Sequence, residues 1–141
     1  MRSIERSHTT DQHMLLKSEN VEVRFDDRFD LPCLYVRFKG KFTEFASQQS
    51  TTIWKVVFDK QQDSKFIMIW DCMDMTGFEM SARREWLKHM HLLHNQIDRV
   101  IVISNSVLIR GSARLMLKLF GFDSEIFDSH HDVWAKYPAF V

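Results

Sequence analysis

Two aspartates, Asp71 and Asp74, stand at the end of an unbroken apolar run from Phe66 to Trp70. Carboxylates in such a place are the material of phosphoryl chemistry: one attacks phosphorus, a second moves a proton, and Mg²⁺ lies between them. Thr76-Gly77-Phe78-Glu79 follows with the S/T-x-x-E spacing of a capping box, which opens a helix. Ser104, Asn105 and Ser106 close a second apolar run, Val100 to Ile103, and Arg110 comes one turn later. Two helix starts beside two buried strand ends would present free N–H groups and favour an anion. Asp71, Asp74, Thr76, Gly77, Ser104, Asn105, Ser106 and Arg110 are therefore the expected ligand- or partner-binding residues. Thr76 and Ser81 are the nearby hydroxyls that phosphorylation could use.

Other constellations are weaker. The pair Asp71/Asp74 departs by one residue from the D-x-D-x-T of aspartyl phosphohydrolases, and no later acidic pair for a metal is evident. His89, His91 and His94 share a helix, but only His91 and His94 share a face, at i, i+3 rather than the i, i+4 of a helical zinc pair. A solvated basic face with Arg83, Arg84 and Lys88 explains them, and no metal or other cofactor is expected. Arg110, Arg114 and Lys118 form one stripe at i+4 steps, the ordinary solvated side of an amphipathic helix. Gly111 inside that helix costs about 1 kcal/mol relative to Ala, which close approach by a neighbour would explain. Cys33 and Cys72 form no C-x-x-C and read as reduced thiols.

The elements that position these residues follow from periodicity. Residues 1–19 are polar and mixed and read as a tail, with a short helix near 13–17; residues 20–141 form the single domain. Val21, Val23 and Phe25 alternate with polar residues, as do Leu34, Val36 and Phe38 up to Gly40, which predicts an antiparallel hairpin. Phe42, Phe45, Ala46, Gln49, Ile53, Val56 and Val57 fall on one face of a helix over 43–60, and Trp54 and Phe58 widen it. The central strand over 65–70 is apolar without alternation, so it is buried on both faces. A helix to His94 follows, lined by Ala82, Trp86, Met90 and Leu93. After the second buried strand, Asn105 or Ser106 caps a helix that Gly121 closes. Ile109, Ala113, Met116 and Phe120 face inward. A short strand over 124–127 precedes a last helix capped by Ser129-x-x-Asp132, with Val133 and Trp134 packing back. The order β, β, α, β, α, β, α, β, α predicts a mixed α/β sheet with right-handed crossovers.

Composition narrows the class. The 141 residues suit one domain, and Lys plus Arg equals Asp plus Glu, 19 against 19, which does not favour nucleic acid. A chain of this length buries roughly two-thirds of its unfolded surface and needs neither disulfide nor metal to fold. The N-terminal residues lack the apolar core of a secretory signal, and no run approaches membrane-spanning length, so cytoplasm is the expected compartment.

Taken together, LYVRFKGKFT at 34–43, IMIWDCMDMTGF at 67–78, IDRVIVISNS at 97–106 and FDSHHDVWAKY at 127–137 resemble the SpoIIAA-like superfamily, which includes STAS and STAS/SEC14-like bacterial domains. That resemblance implies a SpoIIAA-like fold and non-catalytic work: binding a protein partner, a nucleotide or an apolar small molecule. The expected function is thus a cytoplasmic binding or regulatory module, with its ligand at the carboxyl edge of the sheet and homodimerisation allowed. One alternative is a phosphorylation-switched domain resembling anti-sigma-factor antagonists, although Asp74-Met75-Thr76-Gly77 stands where they have D-S-x-G. The other is a Mg-dependent phosphohydrolase using Asp71.

Overall fold

A computed structural model describes residues 13–26 and 30–138. Most of the expected tail, residues 1–12, and part of the turn after the first strand of the hairpin, 27–29, lie outside them. The elements are β1 (Met14–Lys17), β2 (Val21–Asp26), β3 (Cys33–Phe42), α1 (Glu44–Lys60), β4 (Phe66–Phe78) and α2 (Met80–Leu92). A 3₁₀ turn (His94–Gln96), β5 (Ile97–Ile103), α3 (Val107–Leu119), β6 (Ser124–Phe127) and α4 (His130–Lys136) complete the described chain. The six strands lie in the sheet in the order in which they occur in the chain. β1, β2 and β3 are antiparallel; β3, β4, β5 and β6 are parallel.

The expected hairpin forms, with Val23 opposite Val36. The short helix expected over 13–17 does not: Met14–Lys17 is an edge strand on β2. Four residues cannot sustain a helix, whereas pairing satisfies the free backbone groups of β2, and Leu15 and Leu16 pack on the core. β3 likewise continues past Gly40 to Phe42, and Gly40 takes φ +66 where the register with β4 shifts.

Phe66 to Trp70 and Val100 to Ile103 are buried throughout, as two-sided burial of central parallel strands requires. Their alternate side chains serve two cores. Phe66, Met68, Trp70, Val100 and Val102 join Leu34, Val36 and Phe38 under α1, α2 and α3. Ile67, Ile69, Ile101 and Ile103 join Cys33, Tyr35 and Val133 of α4 on the other face.

α1 starts where expected, with Thr43 Oγ1 accepting from the Ala46 N–H at 3.1 Å. Its inward face is rotated from the expected one. Phe45 and Val56 are exposed, while Ser47, Ser50, Thr51, Trp54 and Phe58 are buried. Small hydroxyl residues let α1 approach α2 closely, and Ser47 Oγ donates to the Ala82 carbonyl of α2 at 2.9 Å. Trp54 and Phe58 are therefore core residues. Trp54 meets Trp86 of α2 edge-on with ring centroids 4.2 Å apart.

α3 is capped by Ser106, whose Oγ accepts from the Ile109 N–H, and ends at Gly121 with φ +75. There Phe122 N–H donates to the Leu117 carbonyl and Gly121 N–H to that of Lys118, the paired bonds of a Schellman ending. Ser129 Oγ accepts from the Asp132 N–H and starts α4 as its spacing predicts. Among the described residues no helix is long and apolar enough to cross a membrane.

Candidate functional site

The expected site rested on β4 ending at Trp70, and β4 does not end there. It runs to Phe78, with β3 alongside, pairing Gly40 with Met75 and Phe42 with Phe78. Asp71, Asp74, Thr76 and Gly77 are thus strand residues, and α2 begins only at Met80. The capping box does not form: Thr76 is exposed on the strand, and Glu79, the N-cap of α2, makes no side-chain cap. Glu79 instead accepts from the Glu44 N–H, at 2.7 Å, in the first turn of α1. A carboxylate there suits the positive end of α1. Two helix N-termini consequently do not converge beside Asp71.

The loop after β5 is self-satisfied. Ser104 is fully buried and its Oγ accepts from the Ser106 N–H at 3.1 Å. Arg110 turns back and donates to the Ser104 carbonyl at 2.8 Å. Asn105 is exposed and Ser81 half-buried. Gly77 and Gly111 have open space where a Cβ would stand, so the close neighbour expected at Gly111 is absent.

The extension of β4 builds a cleft on the main-core side. Phe38, Phe42, Trp70, Cys72, Met75 and Phe78 of the sheet form its floor. Arg83 and Trp86 of α2 stand on one side, and Ile109, Ser112, Ala113 and Met116 of α3 on the other. The cleft is narrow, about 70 Å³, and almost wholly apolar. Trp86 is its hub, with ring centroids 5.3 Å from Phe38, 5.3 Å from Phe42 and 5.9 Å from Trp70. Two residues of the lining carry buried donors with no hydrogen-bond partner among the described residues, Trp70 Nε1–H and Arg83 Nε–H. Trp54 Nε1 and Arg99 Nε are also unpartnered but lie outside the cleft lining. Burial, with the Asp71 charge adding to it, pushes the Cys72 thiol up, so it is not a ready nucleophile.

Asp71 points to the opposite face. It is 4% exposed, and its carboxylate accepts from the Tyr35 hydroxyl, from His130 Nε2 at 2.8 Å and from the Met73 N–H at 3.2 Å. Burial, and then the charge of Asp71, push the Tyr35 phenol far up, so it stays a donor. Asp74 is exposed and takes a forked pair from Arg37, at 2.7 and 3.2 Å. The helical histidines serve local packing: His89 bonds the Glu85 carbonyl, and His91 and His94 lie against the rings of Phe120 and Phe122. On α3, Arg114 and Lys118 are exposed beside an outward row of Val107, Leu108, Leu115 and Leu119.

Sequence reasoning put the expected site at β4 and did not name Trp70, Trp86 and Met116 as lining residues of the cleft, or Tyr35 and His130 as partners of Asp71. The residues after Trp70 show no strict period-2 alternation, because the register of β4 against β3 shifts twice there, so the longer strand carried no clear periodic signal.

No protein-family model and no curated protein matches the chain. Solved structures do. An uncharacterized protein of the DUF3478 family with a SpoIIAA-like fold, from Shewanella loihica PV-4, superposes with a TM-score of 0.71 at 16% identity. The match covers 86% of this chain and 98% of that one. The anti-sigma factor antagonist SpoIIAA in its unphosphorylated form matches with a TM-score of 0.54 at 16% identity, over 84% of this chain and 99% of that one. The Pseudomonas malonate decarboxylase MdcD-MdcE hetero-dimer gives 0.51 at 9% identity, over 87% and 78%. The mixed six-stranded sheet and its helices have the SpoIIAA-like fold.

Proposed function

We propose that this protein is a non-catalytic, cytoplasmic binding module that seats a slender apolar molecule with a hydrogen-bond-accepting head in the cleft between α2 and α3. One observation carries this reading: two residues that line an apolar cleft, Trp70 and Arg83, carry buried donors that nothing among the described residues satisfies. A buried donor without an acceptor costs about 1–3 kcal/mol, which a carboxylate or carbonyl head would recover. The small volume, about 70 Å³, favours a slender alkyl chain over a bulky ring system. α3 forms one wall with its inner residues and exposes Val107, Leu108, Leu115 and Leu119 on its outer side. Occupancy would shift that wall, and a protein partner would read the shift on the outer face and on the exposed sheet-edge residues Asp74, Thr76 and Asn105.

A catalytic role for Asp71 fits less well. As nucleophile it would have to release Tyr35, His130 and the Met73 amide. A phosphorylation switch is the second reading, and exposure favours Thr76 on β4 over half-buried Ser81.

Titration of the full chain with decanoate, followed by the fluorescence of its tryptophans, tests the first reading. Decanoate should perturb emission saturably, and Arg83→Leu and Trp70→Phe should each weaken it about tenfold. Native mass spectrometry of the untreated protein should show a bound acyl-chain mass. Equal binding by the wild type and both variants, or no binding at all, would remove the cleft from consideration.

A further inference from the structure

The sheet face under α4 carries a second cavity that the proposed function does not use. It is larger, about 360 Å³, and its lining is half polar in character, with Arg24, Tyr35, Arg37, Asp71, His130 and Trp134 around it. Its volume lies in the range of small-molecule sites.

The charges in it are unequally engaged. Arg37 is held by Asp74 and lies 3.7 Å from Glu22, which also takes Lys39 at 2.8 Å. Those four side chains neutralise one another. Arg24 is different: its guanidinium lies 4.2 Å from the centre of the Tyr35 ring and has no acidic partner among the described residues. One face is covered by the ring, and the N–H fork at its edge matches a carboxylate.

The acceptor side is equally defined. Asp71 receives the Tyr35 hydroxyl and a backbone N–H, so in its pair with His130 the imidazole Nε2 is the donor. In the neutral ring the other nitrogen, Nδ1, is then an acceptor, and the described residues offer it no hydrogen bond. The ring is held in place because Trp134 stacks on it, with centroids 5.8 Å apart and planes at 17°. Trp134 is 39% exposed and gives the cavity an apolar wall. A fixed acceptor, a cation without an acid and an aromatic wall thus line one space.

We propose that this cavity is a second ligand site for a small carboxylate that carries a hydroxyl or N–H donor, with the carboxylate on Arg24 and the donor on His130 Nδ1. The proposal stands whether or not the cleft on the opposite face binds an acyl chain.

Mandelate and phenylacetate, which differ by one hydroxyl, are suitable probes, titrated by calorimetry into the full chain. Mandelate should bind about tenfold tighter than phenylacetate, and Arg24→Gln should weaken both by about tenfold or more. In ¹⁵N-histidine-labelled protein, mandelate should move the His130 Nδ1 resonance and phenylacetate should leave it in place. This readout needs no variant at His130, where loss of the Asp71 partner could unfold α4. Saturating decanoate should leave mandelate binding unchanged. Absence of mandelate binding up to about 10 mM, equal affinity for the two acids, unchanged binding in folded Arg24→Gln, a stationary Nδ1 signal, or displacement by decanoate would each overturn the proposal.

Discussion

The two faces of the sheet solve burial in opposite ways. Under α1, α2 and α3 the core is broad and aromatic, built round Trp86, and the side chains left over are donors without acceptors. Under α4 the apolar core is thin, seven buried residues, and a polar chain from Arg24 through Tyr35 and Asp71 to His130 takes up the rest. One face is therefore held by area and the other by satisfied hydrogen bonds. Area is non-directional and tolerates an open cleft, whereas a buried polar network is worth its bonds only if every member is paired. In the two proposals, a ligand would complete the first face and would join an already ordered group on the second.

The comparison is broken most severely at the aromatic hub. Trp86→Ala should cost about 3–5 kcal/mol in guanidinium unfolding, since the ring is buried among Phe38, Phe42, Trp54 and Trp70. On the other face Asp71→Asn should cost less, about 1–3 kcal/mol, because an amide keeps some bonds and mispairs others. An Asp71→Asn loss larger than that of Trp86→Ala would reverse the assignment of area to one face and bonding to the other.

Alkali sharpens the contrast further. Tyr137, half-buried and donating to Glu125, is pushed up to about 12, and Tyr35 lies higher still. Both folded values exceed the unfolded phenol value of about 10, so the unfolded chain ionises first. The stability these groups contribute is complete below pH 10 and is lost as pH rises above it. Absorbance near 295 nm should show no tyrosine step at pH 10 in the native protein, and any such step should coincide with unfolding seen by far-UV dichroism. A native-state step at pH 10 would mean that Tyr35 is not held by Asp71. The smallest effect is expected at Gly111, on the exposed side of α3, where open space and helical backbone allow Ala. Gly111→Ala should stabilise by about 0.5–1 kcal/mol with no change in decanoate affinity. A loss of stability would show that this helix side is closely approached after all.

Much of the frame was legible because its signals are local. Two strands without polar alternation are buried on both faces, and the helix start near Thr43, the caps at Ser106 and Ser129 and the ending at Gly121 stand where short-range signals put them. Signals that depend on distant partners were not legible. Asp71 meets Tyr35 across 36 positions and His130 across 59, and no periodicity encodes either meeting. Glu79 fits a capping box in spacing, yet it serves a helix that begins 35 residues earlier. The face of α1 was misread because buried serines and a threonine share its inward side with Trp54 and Phe58, while Phe45 and Val56 face outward. Polar residues after Trp70 suggested a loop; two register shifts break the alternation there, and the segment is a strand because β3 alongside supplies its backbone bonds.

The agreement of strand order in the sheet with order in the chain bears on how the molecule is made. Each strand joins the edge left by the one before it, so none must insert between two that are already paired. Every crossover closes a loop of modest length, and loop-closure entropy rises only slowly with length. Pairings between near neighbours in sequence favour rapid folding over the slow search of long-range sheets. During synthesis the N-terminal hairpin can form first and each later strand–helix unit can dock as it leaves the ribosome. β6 with α4 follows the other described units in the chain, so His130 reaches Asp71, and the polar cavity closes, only after β1 to β5 have been made.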